Sequence, residues 1–449
     1  MREGLVSRLA AAGMSPAAAA PKAELFVAAE RALAASDSGS RGEPFRWFVP
    51  GRIEVLGKHT DYAGGRSLLC GVERGFCVVA RGRADRAVRM ADAVRGLEAT
   101  LRLSPDPGDT PSGWTVYAAA VLRRIVRNFA GPLVGADIAL ASDLPRASGM
   151  SSSSALVVSI FTALAAVNRL EERPEYGGAI RSLEDLAGYL GCVENGYAFG
   201  TLSGDEGVGT FGGSEDHTAI LCSRAGHLSR FSFCPVRAEG TIALSRDWTF
   251  VLAVSGVPSD KTGDAKERYN LASLSAAAVL ELWNEATGRS DSTLAAAVRL
   301  ASDAPDRIRD VLRYRRHPRF PPETLAKRFD QFFEESERLV PAAAEAFARA
   351  DASALAGIVD RSQERAEHLL GNQIPETITL ARSARNLGAF AASAFGGGFG
   401  GSVWALVRVS DAPAFRDAWE ADYRGRFPAA ADASRFFESG AGPGRVQID

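Results

Sequence analysis

Cysteine is scarce in this 449-residue chain and falls into no pattern: Cys70, Cys77, Cys192, Cys222 and Cys234 are an odd number with no CxxC spacing. That argues against a zinc site and a disulfide framework, and it predicts scattered reduced thiols in a cytoplasmic protein. An excess of charge of one sign is lacking as well. The 52 Lys and Arg against 54 Asp and Glu leave a formal net charge of −2, whereas nucleic-acid and anionic-membrane binders need a basic surplus. Long hydrophobic runs are missing too, since no segment has the ~20 apolar residues of a membrane span. The alanine-rich start, Met1–Lys22, lacks the basic-then-apolar pattern of a signal peptide. The composition argues against nucleic acid and membrane as partners, nothing in it calls for an obligate protein partner, and any anionic ligand must be held by local geometry.

What the chain does have is a 46% hydrophobic content able to form a full core, and a length that predicts two domains. The apolar spacing of Leu25, Phe26, Ala29 and Leu33 predicts a helix over 23–36, closed by the polar stretch Ser36–Glu43. Strand signals follow at 45–56, 67–72, 75–81, 87–90 and 98–103, a helix at 114–129, and a strand at 137–141. Helices are expected from the Gly/Ser turn at 147–152 through Leu170 and over 183–199. Strands return at 218–222, 229–233 and 248–254. Residues 266–386 read as mostly helical, interrupted by the basic stretch Arg313–Pro322, before a strand at 401–409 and a helix at 412–425. Strands mixed with helices without a regular βαβα rhythm indicate an α+β fold. The expected division is an N-terminal domain over 1–245 and a C-terminal domain over 246–449.

Glycine is concentrated in three segments. In Pro145–Ala155, a glycine and four serines, Ser151–Ser154, sit directly before an apolar helix. Small residues permit close backbone approach, and a helix N-terminus offers free N–H groups and a positive dipole end. One serine suffices for an N-cap. Four after a glycine favour phosphate binding, with hydroxyl oxygens suited to Mg²⁺. A Walker A loop is excluded, because five residues separate Gly51 from Gly57 and His59 follows Lys58. Two GxGxxG strings, Gly207–Gly212 and Gly396–Gly401, precede strand-like sequence, which argues against a dinucleotide-binding fingerprint. The remaining segment, Gly51–Gly65, carries Arg52, Lys58, His59 and Asp61, which fit either a solvated turn or a shaped pocket.

Together these segments resemble those of the GHMP small-molecule kinases, and most closely the galactokinase family. Gly51–Tyr62 is similar to the pattern Gly-Arg-x-Asn-x-x-Gly-Glu-His-Thr-Asp-Tyr at all but two specified positions. Pro145–Ser153 is similar to Pro-x-Gly-x-Gly-Leu-Ser-Ser-Ser, with Ala147 for the first glycine and Met150 for leucine. Gly396–Gly401 is similar to Gly-Ala-Gly-Phe-Gly-Gly with one exchange. The resemblance implies a two-domain α+β fold with the active site between the domains. It also implies an ATP- and Mg²⁺-dependent kinase acting on the anomeric hydroxyl of galactose. By the same resemblance Gly149, Met150 and Ser151–Ser154 hold ATP, and Ser153 and Glu194 ligate Mg²⁺. Asp216, in a segment similar to Met-Asp-Gln, is the catalytic aspartate, acting as base or electrostatic anchor, with Arg52 beside it. Lys58, His59, Asp61 and Tyr269 contact the sugar.

Departures from the pattern set the open questions. Glu54 stands where the family carries Asn, and His217 where Gln follows the aspartate. The 21 residues between Glu194 and Asp216 are about ten more than the family carries, which predicts an inserted glycine-rich loop at the site. Lys58 replaces a glutamate that accepts from the C6 hydroxyl. A cationic, donor-only group instead donates to a C6 oxygen or pairs with a C6 carboxylate. Galacturonate, glucuronate or arabinose is thus the alternative substrate, and a sugar-sensing protein without turnover the less favoured one.

Overall fold

A computed structural model describes residues 2–35, 41–106, 111–259 and 264–448; most of the polar stretch expected to close the first helix lies outside them. The first sheet contains β1 (Arg41–Leu56), β2 (Arg66–Gly82), β3 (Ala87–Asp92), β4 (Leu97–Arg102), β5 (Ala136–Ser142), β6 (His227–Ser232) and β7 (Arg237–Ala243). The second contains β8 (Trp248–Val254), β9 (Ala391–Phe395), β10 (Ser402–Arg408) and β11 (Arg435–Ser439), and β12 (Val446–Gln447) returns to the first. The first sheet runs β12-β1-β2-β5-β3-β4, with β6 also on β2 and β7 on β6; the second runs β11-β8-β10-β9. Neighbours are antiparallel except β3 and β5.

Side chains on successive strand residues point to opposite faces, and here both faces of the first sheet are covered. Phe48, Cys77 and Val79 pack under the helix Pro16–Ala34, while Val49, Val78 and Ala80 join the core shared with the helices Thr115–Asn128 and Ser152–Asn168. The second half holds a helical layer in which Leu325, Phe329 and Phe332, at i, i+4 and i+7, face Trp283 and the loop residue Ala63.

Most expected elements are present, with informative differences. Residues 218–222 form a helix, Glu215–Cys222, and not a strand. A short apolar run with β-branched Thr218 and Ile220 does not reveal its period; packing against the helix Leu183–Asn195 and against β1 decides it. That neighbouring helix stops at Asn195, short of the expected 199, because Gly196 takes the left-handed cap conformation at φ 84°. The first expected helix begins earlier, at Pro16, where the Ser15 side chain accepts from the Ala18 N–H, and a further helix, Arg2–Ala11, precedes it.

Candidate active site

The three glycine-rich segments meet backbone to backbone. A Cβ on Gly396 would stand 2.7 Å from the Gly149 carbonyl oxygen, and one on Gly51 would stand 2.8 Å from that of Met150. Ser402 Oγ donates to the Ser148 carbonyl over 2.6 Å, and Arg52 Nη1 donates to the Gly149 carbonyl. In the serine loop Ala147, Gly149 and Ser151 all have positive φ, at 45°, 75° and 58°. Two non-glycine residues in this region cost on the order of 1–3 kcal/mol each and persist only where surroundings impose them. The loop leads into the N-terminus of the helix Ser152–Asn168. A cavity of about 350 Å³ opens over it, lined by Ser151, Ser152 and Ser153 and flanked by Trp114 and Tyr117. The two aromatics supply apolar surface of the kind a nucleobase stacks on, and the sequence carries no signal that marks them.

A second cavity adjoins the first, and Arg52 and Gly397 line both. Arg52 and Glu54 share a face of β1, two residues apart, and reach it from beside register shifts in the β1–β2 ladder. The Arg52 guanidinium grips one oxygen of Asp216, with Nε 2.9 Å and Nη2 2.6 Å from Oδ1. Ser154 Oγ lies 3.3 Å from Asp216 Oδ2 and donates to Glu194 Oε2 over 2.8 Å. His217 Nε2 lies 3.1 Å from the same Glu194 oxygen. Burial pulls the Arg52 guanidinium down, but Asp216, Glu54 and Glu215 more than reverse this and raise it. A fixed cation thus faces an aspartate whose side chain keeps 15% of its exposure, toward the cavity.

The loop Gly57–Gly65, which carries the residues expected from the sugar signature, closes the cavity. Asp61 Oδ2 accepts from the Glu215 N–H at 3.1 Å. The carbonyl of Gly397, 3.2 Å from His59 Nε2, can only accept, so Nε2 carries the proton. Nδ1 then accepts from Tyr62 Oη at 3.1 Å in the neutral ring. The His59 and Tyr269 rings are 5.3 Å apart. Burial, offset in part by Arg328, raises the Tyr62 phenol to about 12.

Of the residues expected at the site, Arg52, His59, Asp61, Glu194, Asp216, Tyr269 and Ser154 line the second cavity, and Gly149 with Ser151–Ser153 the first. Met150 is buried in the core, and its carbonyl accepts from the Arg52 N–H at 3.3 Å. Ser154, not Ser153, makes the hydroxyl contact with Glu194. Lys58 is the correction: its side chain does not line the second cavity. It is 1% exposed and its Nζ donates to Ser362 Oγ at 2.8 Å, where Ser362 in turn donates to Glu335 at 3.0 Å. Glu335, in a single widened helical turn at Glu335–Leu339, also accepts from the N–H of Gly57 at 2.8 Å. A buried ammonium is stable only beside such acceptors, and they lie on the helical layer behind the loop.

Sequence reasoning missed Asn195. Its Oδ1 accepts from the Gly212 N–H and from Thr210 Oγ1, both at 2.8 Å, and its Nδ2 donates to the Gly213 carbonyl at 3.1 Å. It clamps the inserted glycine-rich loop over Asp61. Its place beside Glu194 was the only available signal.

Three sequence families match the chain in order. These are "Galactokinase galactose-binding signature" over residues 37–82, "GHMP kinases N terminal domain" over 116–204, and "GHMP kinases C terminal" over 343–425. A galactokinase from a Roseiflexus strain is 26% identical over 82% of this chain and 84% of its own. One from Chloroflexus aggregans is 28% identical over 84% and 87%. The crystal structure of Lactococcus lactis galactokinase complexed with galactose superposes with a TM-score of 0.75, at 21% identity, over 94% of this chain and 98% of that one.

Proposed function

We propose, for a chain that belongs to the galactokinase family of the GHMP kinases, that it transfers the γ-phosphoryl group of ATP to the anomeric hydroxyl of galactose, releasing galactose 1-phosphate and ADP. The observation that carries this reading is the Arg52–Asp216 pair at the junction of two cavities, one lined by serines at a helix N-terminus and one by polar side chains. Phosphoryl transfer asks the protein chiefly for positioning and for neutralising charge. The serine loop and helix N-terminus hold the phosphates through backbone N–H groups and hydroxyls. Asp61, His59 and Tyr269 hold the sugar so that its anomeric hydroxyl faces Asp216. Asp216 takes that proton or orients the hydroxyl electrostatically, and Arg52 keeps it ionised and offsets charge developing on the transferred group.

Mg²⁺ fits this donor set. The Glu194 carboxylate, the Ser154 hydroxyl it accepts from and the Ser153 hydroxyl beside it in the loop are hard oxygens, and Mg²⁺ characteristically takes one or two protein oxygens with the phosphates. We assign the ion to Ser153 and Glu194, where it would neutralise phosphate charge. Galacturonate and glucuronate lose their support, since the cation meant to pair with a C6 carboxylate is withdrawn from the cavity. We place the domain division near residue 245, between β7 of the first sheet and β8 of the second. We also place the enzyme in the cytoplasm, consistent with five free cysteines. No helix among the described residues is long and apolar enough to cross a membrane.

An ADP-release assay across galactose, galacturonate, glucuronate and arabinose tests the reading, with galactose expected to turn over fastest. Asp216→Ala should lower kcat by about 10²–10⁴-fold while galactose binding remains measurable by calorimetry. A variant as active as the parent would refute the role of Asp216.

A further inference from the structure

Two departures from the family pattern, far apart in sequence, meet in space. Glu54 on β1 takes the place of the pattern's Asn, and Glu215, the first residue of the helix Glu215–Cys222, takes the place of the Met before the catalytic aspartate. Both are buried and both line the sugar cavity. The two carboxyl groups lie within hydrogen-bonding reach of each other. Glu54 Oε2 receives only a long contact from the Gly396 N–H, at 3.3 Å, and Oε1 is buried with no donor among the described residues. Glu215 Oε2 accepts from Ser67 Oγ at 2.5 Å. Two buried carboxylates in contact, so poorly supplied with donors, would face a desolvation cost for two negative charges that Arg52 and Lys58 offset only in part. One proton held between them removes a charge and satisfies the orphaned oxygen.

We propose that Glu54 and Glu215 share one proton and act as a positioning pair, whose single negative charge leaves Arg52 free to serve Asp216 and the incoming phosphoryl group. The charged surroundings are consistent with this. Arg52 and Lys58 lie on the attractive side, while Glu335 faces Glu54 and both Asp61 and Asp216 face Glu215. Burial is the main effect on each acid. It raises Glu54 to about 7 against the pull of Arg52 and Lys58, and it raises Glu215 well above the ordinary carboxylate range, with repulsion from Glu54 and Asp61 added. The proton belongs to the pair and not to either residue. It is retained at acidic and neutral pH and lost as pH rises above neutrality. Its loss sets a third carboxylate against Arg52, beside a substrate that already brings the charge of ATP.

The inference rests on the kinase reading for its kinetic consequence, though not for its spectroscopic one. In the parent, kcat/KM should fall by about tenfold per pH unit above neutrality, the slope of a single proton loss. Glu54→Gln and Glu215→Gln, each of which carries N–H donors in place of the shared proton, should both lose that fall. Difference infrared spectra of the folded proteins, without substrate, should show the carbonyl stretch of a protonated carboxyl group in the parent at neutral pH. The band should be missing from either variant and disappear from the parent in alkali. An alkaline fall unchanged in both variants, or a parent without the band, would overturn the proposal. A parent that turns over no sugar would sink the kinase reading alone, because the infrared band needs no turnover.

Discussion

At position 58 one exchanged side chain shows how neighbours set a residue's task. An acid there would meet Glu335 and Glu54 as like charges; a lysine finds Ser362 and, through it, Glu335. Its ammonium ties the sugar-signature loop to the helical layer, together with Gln331 Nε2, which donates to the Lys58 carbonyl at 3.0 Å. Lys58→Met keeps the stem and removes the charged donor, so it should lower the unfolding free energy by about 1–3 kcal/mol in a denaturant titration. The KM for galactose should move less than about threefold, since no uniform binding contact is removed. A large KM rise at unchanged stability would instead put Lys58 against the sugar. The type and position of Lys58 were legible in the sequence; its direction was not, because its partners come from 277 and 304 residues away.

At the scale of elements, the glycine-rich loop before Asp216 was legible from length and glycine content, and its course depends on contacts. Gly213 passes so close to the sugar-signature loop that a Cβ would stand 2.3 Å from Asp61 Oδ2 and 2.9 Å from the Tyr62 nitrogen. Gly213→Ala must therefore push either the loop or the Asp61 carboxylate aside, an overpacking cost of about 1–3 kcal/mol. We expect it to appear mainly as a raised KM for galactose in steady-state assays. Gly177→Ala, where a Cβ meets nothing within 4 Å, is the control and should leave KM unmoved. Equal behaviour of the two variants would remove the loop from the sugar site. The helix at Glu215–Cys222 belongs to the same lesson: as a strand, it would not present Glu215 and Asp216 on its first turn with His217 turned toward Glu194.

At the scale of the molecule, the chain ends where it began. β12 pairs with β1 at Trp47 and Phe48, and Ile448, 1% exposed, packs with Leu5, Leu9 and Phe26 of the first two helices. These last residues follow the second sheet in sequence yet complete the first, so the two halves are stitched by the chain's own tail as well as by the site. Ile448→Ala should cost about 2–5 kcal/mol of stability, read as a lowered Tm, and leave kcat unaffected at temperatures where the variant is folded. A kcat loss at unchanged Tm would contradict this separation of tail from site.

The sequence by itself determined the family resemblance, the α+β class and the positions of three glycine-rich segments, because these rest on local residue types and composition. Only the tertiary structure decided that Ser154 meets Glu194, that Lys58 turns from the sugar to Ser362, and that Glu54 and Glu215 become neighbours. The physical reason is common to all three. A side chain's direction and charge state follow from the burial and partners it finds across long sequence separations, and no local pattern encodes those partners.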